Sequence, residues 1–413
     1  MSIFVQIAAY RDNQLVPTIK DMLENAKNPK DINVGISWQH SKDDAWDNLD
    51  EFKKDPRFKI IDIDYKKSLG VCWARNKVQK KYSGEDYTLQ IDSHHRFVKN
   101  WDELCIEMLD DLKSEGYKKP LLTSYVPSFD PDNDPNGRVK EPWRMNFDRF
   151  IPEGAVFFLP GSIPNWQSLK LPIKARFYSA HFCFAPGSFC LEVPHDPNYY
   201  FHGEEISIAV RAFTHGYDLF HPHKIICWHE YTRKNRTKQW DDDKKWYEKN
   251  NKCHLRNRKL FEMDGEKKDI DFGIYDFGKE RTLEDYERYS GLNFKLRAVQ
   301  KYTLDLLDPP NPKIDNHDDY IKSFTKVFKH CIDIQHNQLP HDDYDFWVVS
   351  FETNSGEVIN RKDADENEIK SIRSDPSYCK IWREFLCEKK PDKWVVWTHS
   401  KSKGWCDRYE GGL

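Results

Sequence analysis

Residues 87–94 read Tyr87-Thr88-Leu89-Gln90-Ile91-Asp92-Ser93-His94. A short apolar strand runs to Ile91 and stops at an acid, with a histidine two positions further on. The same strand signal recurs upstream, at Ile3–Ala9, Ile32–Trp38 and Phe58–Ile63. Helical spacings lie between these segments: Leu15, Ile19, Met22 and Leu23 make one apolar face over Leu15–Ala26, and Val71–Lys80 follows Gly70. Strands alternating with helices predict a parallel α/β sheet. Ligands of such sheets bind beyond the carboxyl ends of the strands. That rule singles out Tyr10-Arg11-Asp12, Gln39-His40, Asp62–Asp64 and Asp92-Ser93-His94.

Composition narrows the class. The chain has 413 residues, of which 38% are hydrophobic, 14% aromatic and 32% charged, enough apolar content for a large core under a polar surface. The formal net charge of −4 gives no global case for nucleic acid, and Lys66-Lys67 and Lys80-Lys81 read as solvated faces. No basic segment leads into a long apolar run, and no window approaches the roughly 18 apolar residues of a membrane span. The expectation is a cytoplasmic chain without a signal peptide. Ten cysteines, with no CxxC pair, predict free thiols that are mostly buried, Cys183 and Cys190 among them in the core.

From about Pro120 to Pro197 the sequence is rich in Pro, Asn, Asp and aromatics, which predicts long loops and short strands suited to an acceptor site. Residues 203–213 and 281–300 read as helices. Beyond about 315 the texture changes, and Phe346–Ser350 and Trp394–Trp397 are strand candidates in a tail rich in Trp and Asp. The expected division is a domain over 1–300 and an accessory module containing β-structure over 315–413.

Three motifs carry the chemistry. Residues i and i+2 of a strand point to one side, so Asp92 and His94 can converge on a divalent cation such as Mn²⁺. Diphosphate oxygens would complete its coordination, and the ion would neutralise charge on a leaving diphosphate. The plain alternative makes Asp92 a turn cap and His94 a loop residue. Phe201-His202-Gly203-Glu204-Glu205 places two acids before an amphipathic helix. They serve either as helix N-terminal carboxylates or as groups facing a substrate. His229, in Cys227-Trp228-His229-Glu230-Tyr231 after the strand-like Lys224–Cys227, gains its weight from its order behind the other two.

That order resembles the retaining polypeptide GalNAc-transferases. A closer resemblance is to the polypeptide N-acetylglucosaminyltransferase family, which modifies Ser/Thr or hydroxyproline. It is carried by Ile3–Asp12, Leu69–Asn76, Leu89–Phe97, Trp101-Asp102, Phe201–Ser207, Thr214–Phe220, Trp228–Tyr231 and Phe272–Gly291, and covers residues 1–295. The resemblance implies a GT-A domain, Rossmann-like and specific for nucleotide-diphosphate sugars. It further implies a UDP-sugar donor, most simply UDP-GlcNAc, and Mn²⁺ (or Mg²⁺) held by Asp92, His94 and His229. Arg75 would contact the nucleotide, and Ala8, Tyr10 and Arg11 would line the uridine pocket. Glu204 and Glu205 would face the sugar and the acceptor hydroxyl, and Arg233 would close over the diphosphate. The Gly-Gly-Glu-Asn of the GalNAc enzymes is His202-Gly203-Glu204-Glu205 here, and the tail matches no family motif. No covalent nucleophile stands out, so front-face displacement with retention follows. The alternatives are the same chemistry on a glycan acceptor, or a non-catalytic protein that binds a sugar nucleotide or glycan. A Gly-x-Ser-x-Gly elbow and a Walker loop are both lacking. The oligomeric state is left open by these motifs.

Overall fold

A computed structural model describes residues 1–232, 236–375 and 378–413. The chain divides into two compact units, one of Met1–Leu296 with Tyr302–Lys313, the other of Arg297–Lys301 with Ile314–Leu413.

The first unit is built on β1 (Ile3–Tyr10), β2 (Ile32–His40), β3 (Phe58–Asp64) and β4 (Tyr87–Asp92). All four run parallel in the order β3-β2-β1-β4, with Ile3 beside both Ile32 and Tyr87. Their near-continuous apolar runs reflect burial on both faces. Ile3, Val5 and Ile7 pack on one side with helices α1 (Leu15–Asn25) and α3 (Trp101–Ser114), through Ile19, Met22, Trp101 and Met108. Phe4 packs on the other side with Val78 of α2 (Val71–Gln79) and with Cys190.

Beyond β4 the sheet turns mixed. It continues through Phe182–Pro186, antiparallel to β4, then Pro120–Thr123, Asp218–His221 and Ile173–Lys174. The loop-rich middle region also folds a hairpin of Trp143–Phe150 on Val156–Ser162. Chain order reverses between β1 and β4, since β2 and β3 lie on one side of β1 and β4 on the other. A crevice opens at the carboxyl ends of strands where such a reversal occurs. There Ala8 pairs with Asp92.

The second unit is β-rich. Phe324–Gln335 pairs antiparallel with Tyr378–Cys387, and Tyr344–Glu352 with Lys393–Ser400, over a core of Ile332, Trp347, Val349, Phe351, Ile381 and Val396. The α/β architecture with additional C-terminal β-structure is therefore the one expected. The helix expected over 281–300 spans only Leu283–Ser290. Gly291 ends it with φ 69°, a left-handed cap that glycine adopts without steric cost, and two short strands follow at Leu292–Asn293 and Ala298–Gln300. All ten cysteines are free, and Cys183 and Cys190 are buried. Among the described residues no helix is long and apolar enough to cross a membrane.

Gly35 of β2 has no room for a side chain, because a Cβ there would sit 2.8 Å from Phe4 Cζ and 2.9 Å from Val78 Cγ1. Gly35→Ala is expected to lower stability by about 1–3 kcal/mol through overpacking. Urea unfolding checks this, and an unchanged midpoint would contradict the packing described.

Candidate functional site

Strand pairing assembles the site. After β4, Ser93 and His94 lead into β5 (His95–Phe97), which pairs antiparallel with Cys227–His229 in the register His95 with His229. The Glu230 amide also donates to the His94 carbonyl at 3.1 Å. A histidine remote in sequence is thus locked beside the end of β4. The strand covers Cys227–His229 instead of the expected Lys224–Cys227, so His229 is its last residue and stands in the ladder.

Asp92, His94 and His229 each offer one ligand atom, and the three atoms lie within 4.8 Å of one another. His229 Nε2 is 3.5 Å and His94 Nε2 3.8 Å from Asp92 Oδ2. Both His229 ring nitrogens are buried and find no hydrogen-bond partner among the described residues. Burial, with the neighbouring His181 ring, holds the His229 imidazole neutral, far below the ordinary histidine range. His181 stacks on His229 at 4.3 Å and is itself pushed down to about 3 by burial. Burial works against the Asp92 carboxylate, but Arg75 and the two imidazoles hold it well below the usual range. An ionised carboxylate beside the neutral His229 imidazole, with its buried nitrogens unpaired among the described residues, fits a borderline divalent cation.

The surrounding shell orients these groups. Asp12 lies just past β1, fully buried, and accepts from His94 Nδ1 at 2.7 Å and Ser93 Oγ at 2.6 Å. Holding Nδ1 in this way turns Nε2 towards Asp92, 3.8 Å away, as the partner of a ligating histidine does. Arg236 Nη1 lies 2.9 Å from that Nε2 and 2.9 Å from Asp12 Oδ2. The Arg236 guanidinium therefore lies against both nitrogens of the His94 ring. Arg75 of α2 reaches Asp92 Oδ1 at 2.6 Å and Glu204 Oε1 at 2.7 Å.

A cavity opens beside these groups. Ala8, Tyr10, Gly70, Asp92, His94 and His229 line it, together with Tyr200, Phe201, Arg236, Lys238 and Trp240. Gly70 holds φ 115° at the start of α2, where a Cβ would meet the Tyr200 carbonyl at 2.7 Å. Its absence lets the Val71 amide donate to that carbonyl at 3.2 Å, closing the wall. Segment 236–242 folds over the opening: Asp242 accepts from Tyr10 Oη at 2.8 Å, and Trp240 packs edge-on to Phe201 at 5.7 Å.

Of the residues singled out in the sequence, Ala8, Tyr10, Asp92, His94 and His229 meet at this cavity. Arg11 stands beside it, paired to Asp44 at 2.7 Å and Asp242 at 3.0 Å. Arg75 lies behind Asp92. Glu204 and Glu205 begin helix α4 (Glu204–Thr214) after Gly203 at φ 89°, but neither forms the cavity wall. Glu204 is buried, with Oε1 taken by Arg75 and Oε2 accepting from Cys72. Glu205 accepts from the Ala180 amide and from Tyr125 Oη, both at 2.9 Å. Arg233 lies outside the described residues. Asp12, His181 and Arg236 escaped the motif reading; the strand-end rule reached Asp12 without giving it a task.

A family model described as Glycosyltransferase (GlcNAc) matches residues 2–57 and 48–296. No curated protein matches the chain. Among solved structures, GalNAc-T7 with UDP, GalNAc and Mn²⁺ is 14% identical over 59% of this chain and 44% of that one, TM-score 0.43. TarS 1–349 of S. aureus with UDP is 11% identical over 62% and 66%, TM-score 0.38. The mannosyltransferase PcManGT of Pyrobaculum calidifontis with GDP-Man and Mn²⁺ is 8% identical over 57% and 58%, TM-score 0.37. The chain spans less than half the length of the GalNAc-T7 chain it matches.

Burial raises the Glu205 carboxyl from its ordinary 4.5 to about 7; nearby Glu204 adds to this, and the Ala180 amide and Tyr125 oppose it. The folded protein therefore binds this proton more tightly than the unfolded chain. The associated stability is complete below pH 4.5 and is lost as pH rises through about 7. Glu205→Gln is expected to remove that descending step from a urea-unfolding series between pH 5 and 8, and an unaltered pH profile would contradict it.

Proposed function

The chain belongs to the glycosyltransferase family of the GlcNAc model, and from that premise we propose a metal-dependent transfer of GlcNAc from UDP-GlcNAc to a polypeptide hydroxyl, Ser/Thr or hydroxyproline, with retention. The observation that carries this reading is the convergence of Asp92, His94 and His229 at the wall of a cavity that Tyr10, Arg236 and Trp240 also line. Cytoplasmic residence belongs to the proposal and is supported by ten unpaired cysteines.

Each residue has a task in the transfer. Tyr10, Tyr200, Phe201 and Trp240 offer aromatic surface to the nucleoside, and Ala8 and Gly70 leave it room. Arg236 and Lys238 supply positive charge for the diphosphate, with Arg233 proposed to join them. Asp92, His94 and His229 would hold Mn²⁺ (or Mg²⁺), which when bound would supply Lewis-acid relief of charge on the departing diphosphate. Arg75 keeps Asp92 ionised and aimed. In the transfer, the bond from the sugar C1 to the diphosphate oxygen breaks, and a bond from C1 to the acceptor oxygen forms on the same face. The acceptor proton passes to the departing phosphate oxygen, so no side chain takes it. Fixed charges aimed at a leaving group lower such barriers without reorganising during the reaction. Glu204 acts through Arg75.

The test incubates the protein with a panel of UDP-sugars and Mn²⁺ and follows UDP release. Turnover with UDP-GlcNAc, abolished by EDTA and in Asp92→Ala, is expected; slow hydrolysis without acceptor suffices. No release from any donor, combined with no Mn²⁺-dependent UDP binding, would overturn the assignment. Asp12→Asn should weaken Mn²⁺ binding by about 10–100-fold, the usual cost of losing the partner that orients a ligating histidine. Calorimetric titration of Mn²⁺ in the presence of UDP reads that change.

A further inference from the structure

Arg75 links the donor site to a second group of possible metal ligands: Cys72 of α2, His195, and Glu204 at the start of α4. One ligand atom from each lies within 4.8 Å of the other two. Cys72 is fully buried, His195 is 1% exposed and Glu204 6%. His195 is held against α2 at two points. Its amide donates to Gln79 Oε1 at 2.7 Å, and its carbonyl accepts from Asn76 Nδ2 at 2.8 Å.

The hydrogen bonds around His195 decide its tautomer. Gln90 Nε2 donates to the Ala180 carbonyl at 2.7 Å, so Gln90 Oε1 is left as an acceptor. That oxygen lies 2.6 Å from His195 Nε2, which therefore carries the ring proton. The lone pair stands on Nδ1, 3.8 Å from Glu204 Oε2, and finds no donor among the described residues. The Cys72 thiol does not supply one, because it donates to Glu204 Oε2. Arg75 takes Glu204 Oε1 at 2.7 Å, which leaves Oε2 turned to the cluster. Burial keeps the His195 imidazole neutral.

A buried acceptor without a donor is costly. A ring N–H held by an amide oxygen is also the arrangement that orients a metal-ligating histidine. Sulfur, imidazole and carboxylate together suit Zn²⁺, and the sulfur disfavours Mn²⁺ and Mg²⁺. A tetrahedral ion with bonds of about 2.0–2.3 Å keeps its ligand atoms roughly 3.3–3.8 Å apart. The separation of Nδ1 from Oε2 already falls in that range.

We propose that Cys72, His195 and Glu204 bind Zn²⁺ at a site separate from the cluster of Asp92, His94 and His229. Cys72 Sγ, His195 Nδ1 and Glu204 Oε2 are its protein ligands, and a water takes the fourth position. The thiol proton leaves to solvent as the sulfur–zinc bond forms. The ion ties α2, α4 and His195 together and fixes Glu204 on Arg75, so its role is to position. The site stands independently of which sugar is transferred and to what.

Co²⁺ is the probe, because a thiolate ligand gives it a near-ultraviolet charge-transfer band that the sulfur-free donor cluster cannot produce. The full chain is stripped with chelator, titrated with Co²⁺ and then with Zn²⁺. Stoichiometric Co²⁺ is expected to give the band, which Zn²⁺ abolishes, Asp92→Ala retains and Cys72→Ser loses. His195→Gln should weaken Co²⁺ binding by at least the roughly tenfold that losing a ligand's partner costs. Far-ultraviolet circular dichroism checks the folding of each variant, and His195→Gln decides if Cys72→Ser fails to fold. A wild type without the band, a band lost in Asp92→Ala, or Co²⁺ binding unaltered by Cys72→Ser or His195→Gln would overturn the proposal. The band intact in a protein that does not bind UDP with Mn²⁺ would support the zinc site and count only against the donor reading.

Discussion

Arg75 is a buried cation shared between two carboxylates from distant parts of the chain, and the rest of the site leans on that arrangement. Its guanidinium bonds Asp92 at the end of β4 and Glu204 at the start of α4, and all three groups are removed from most solvent. Removing one partner of such a set leaves a charge uncompensated in a medium of low dielectric, which costs several kcal/mol. The planar fork also fixes direction, which a lysine would not. Asp92 is therefore ionised and aimed before any ligand arrives. Glu204 serves as counter-charge to Arg75, which explains why a conspicuous Gly-Glu-Glu motif lies under the site instead of on its wall.

The second constraint is topological. A reversal of strand order places the end of β4 against β1, and the pairing of β5 with Cys227–His229 brings His229 to that same point. Asp12, supplied by the loop after β1, sets the tautomer of His94. Three remote segments thus contribute to one cluster, and each is held by backbone hydrogen bonds. Burial keeps the His181 and His229 rings neutral, the state in which an imidazole can bind a metal.

The parallel strands were legible because their apolar runs are long and bounded by glycine or acid, and the strand-end rule then marked Asp92 and His94. His229 was legible only through the order of motifs, since its neighbour in space is set by a ladder register that local sequence does not encode. Asp12 was a marked position without a role, because its function depends on a hydrogen bond to a residue on another strand. Arg236 and His181 carry no local signal at all. The helix over 281–300 reads too long because apolar and basic residues (Leu292, Phe294, Lys295, Leu296, Arg297) continue past Ser290, whereas Gly291 decides where it stops. Glu204 and Glu205 illustrate the opposite limit: the motif located the helix start, but only side-chain partners could show which way the carboxylates face.

The central claim is that Asp92, His94 and His229 form one metal site preorganised by Arg75 and Asp12. Electron spin-echo spectroscopy of Mn²⁺ added to the protein with UDP tests it most directly. The account predicts nitrogen modulation from two imidazoles, reduced to one in His229→Ala while the fold and the second histidine persist. A spectrum without histidine nitrogen, or one unchanged by that substitution, would contradict it.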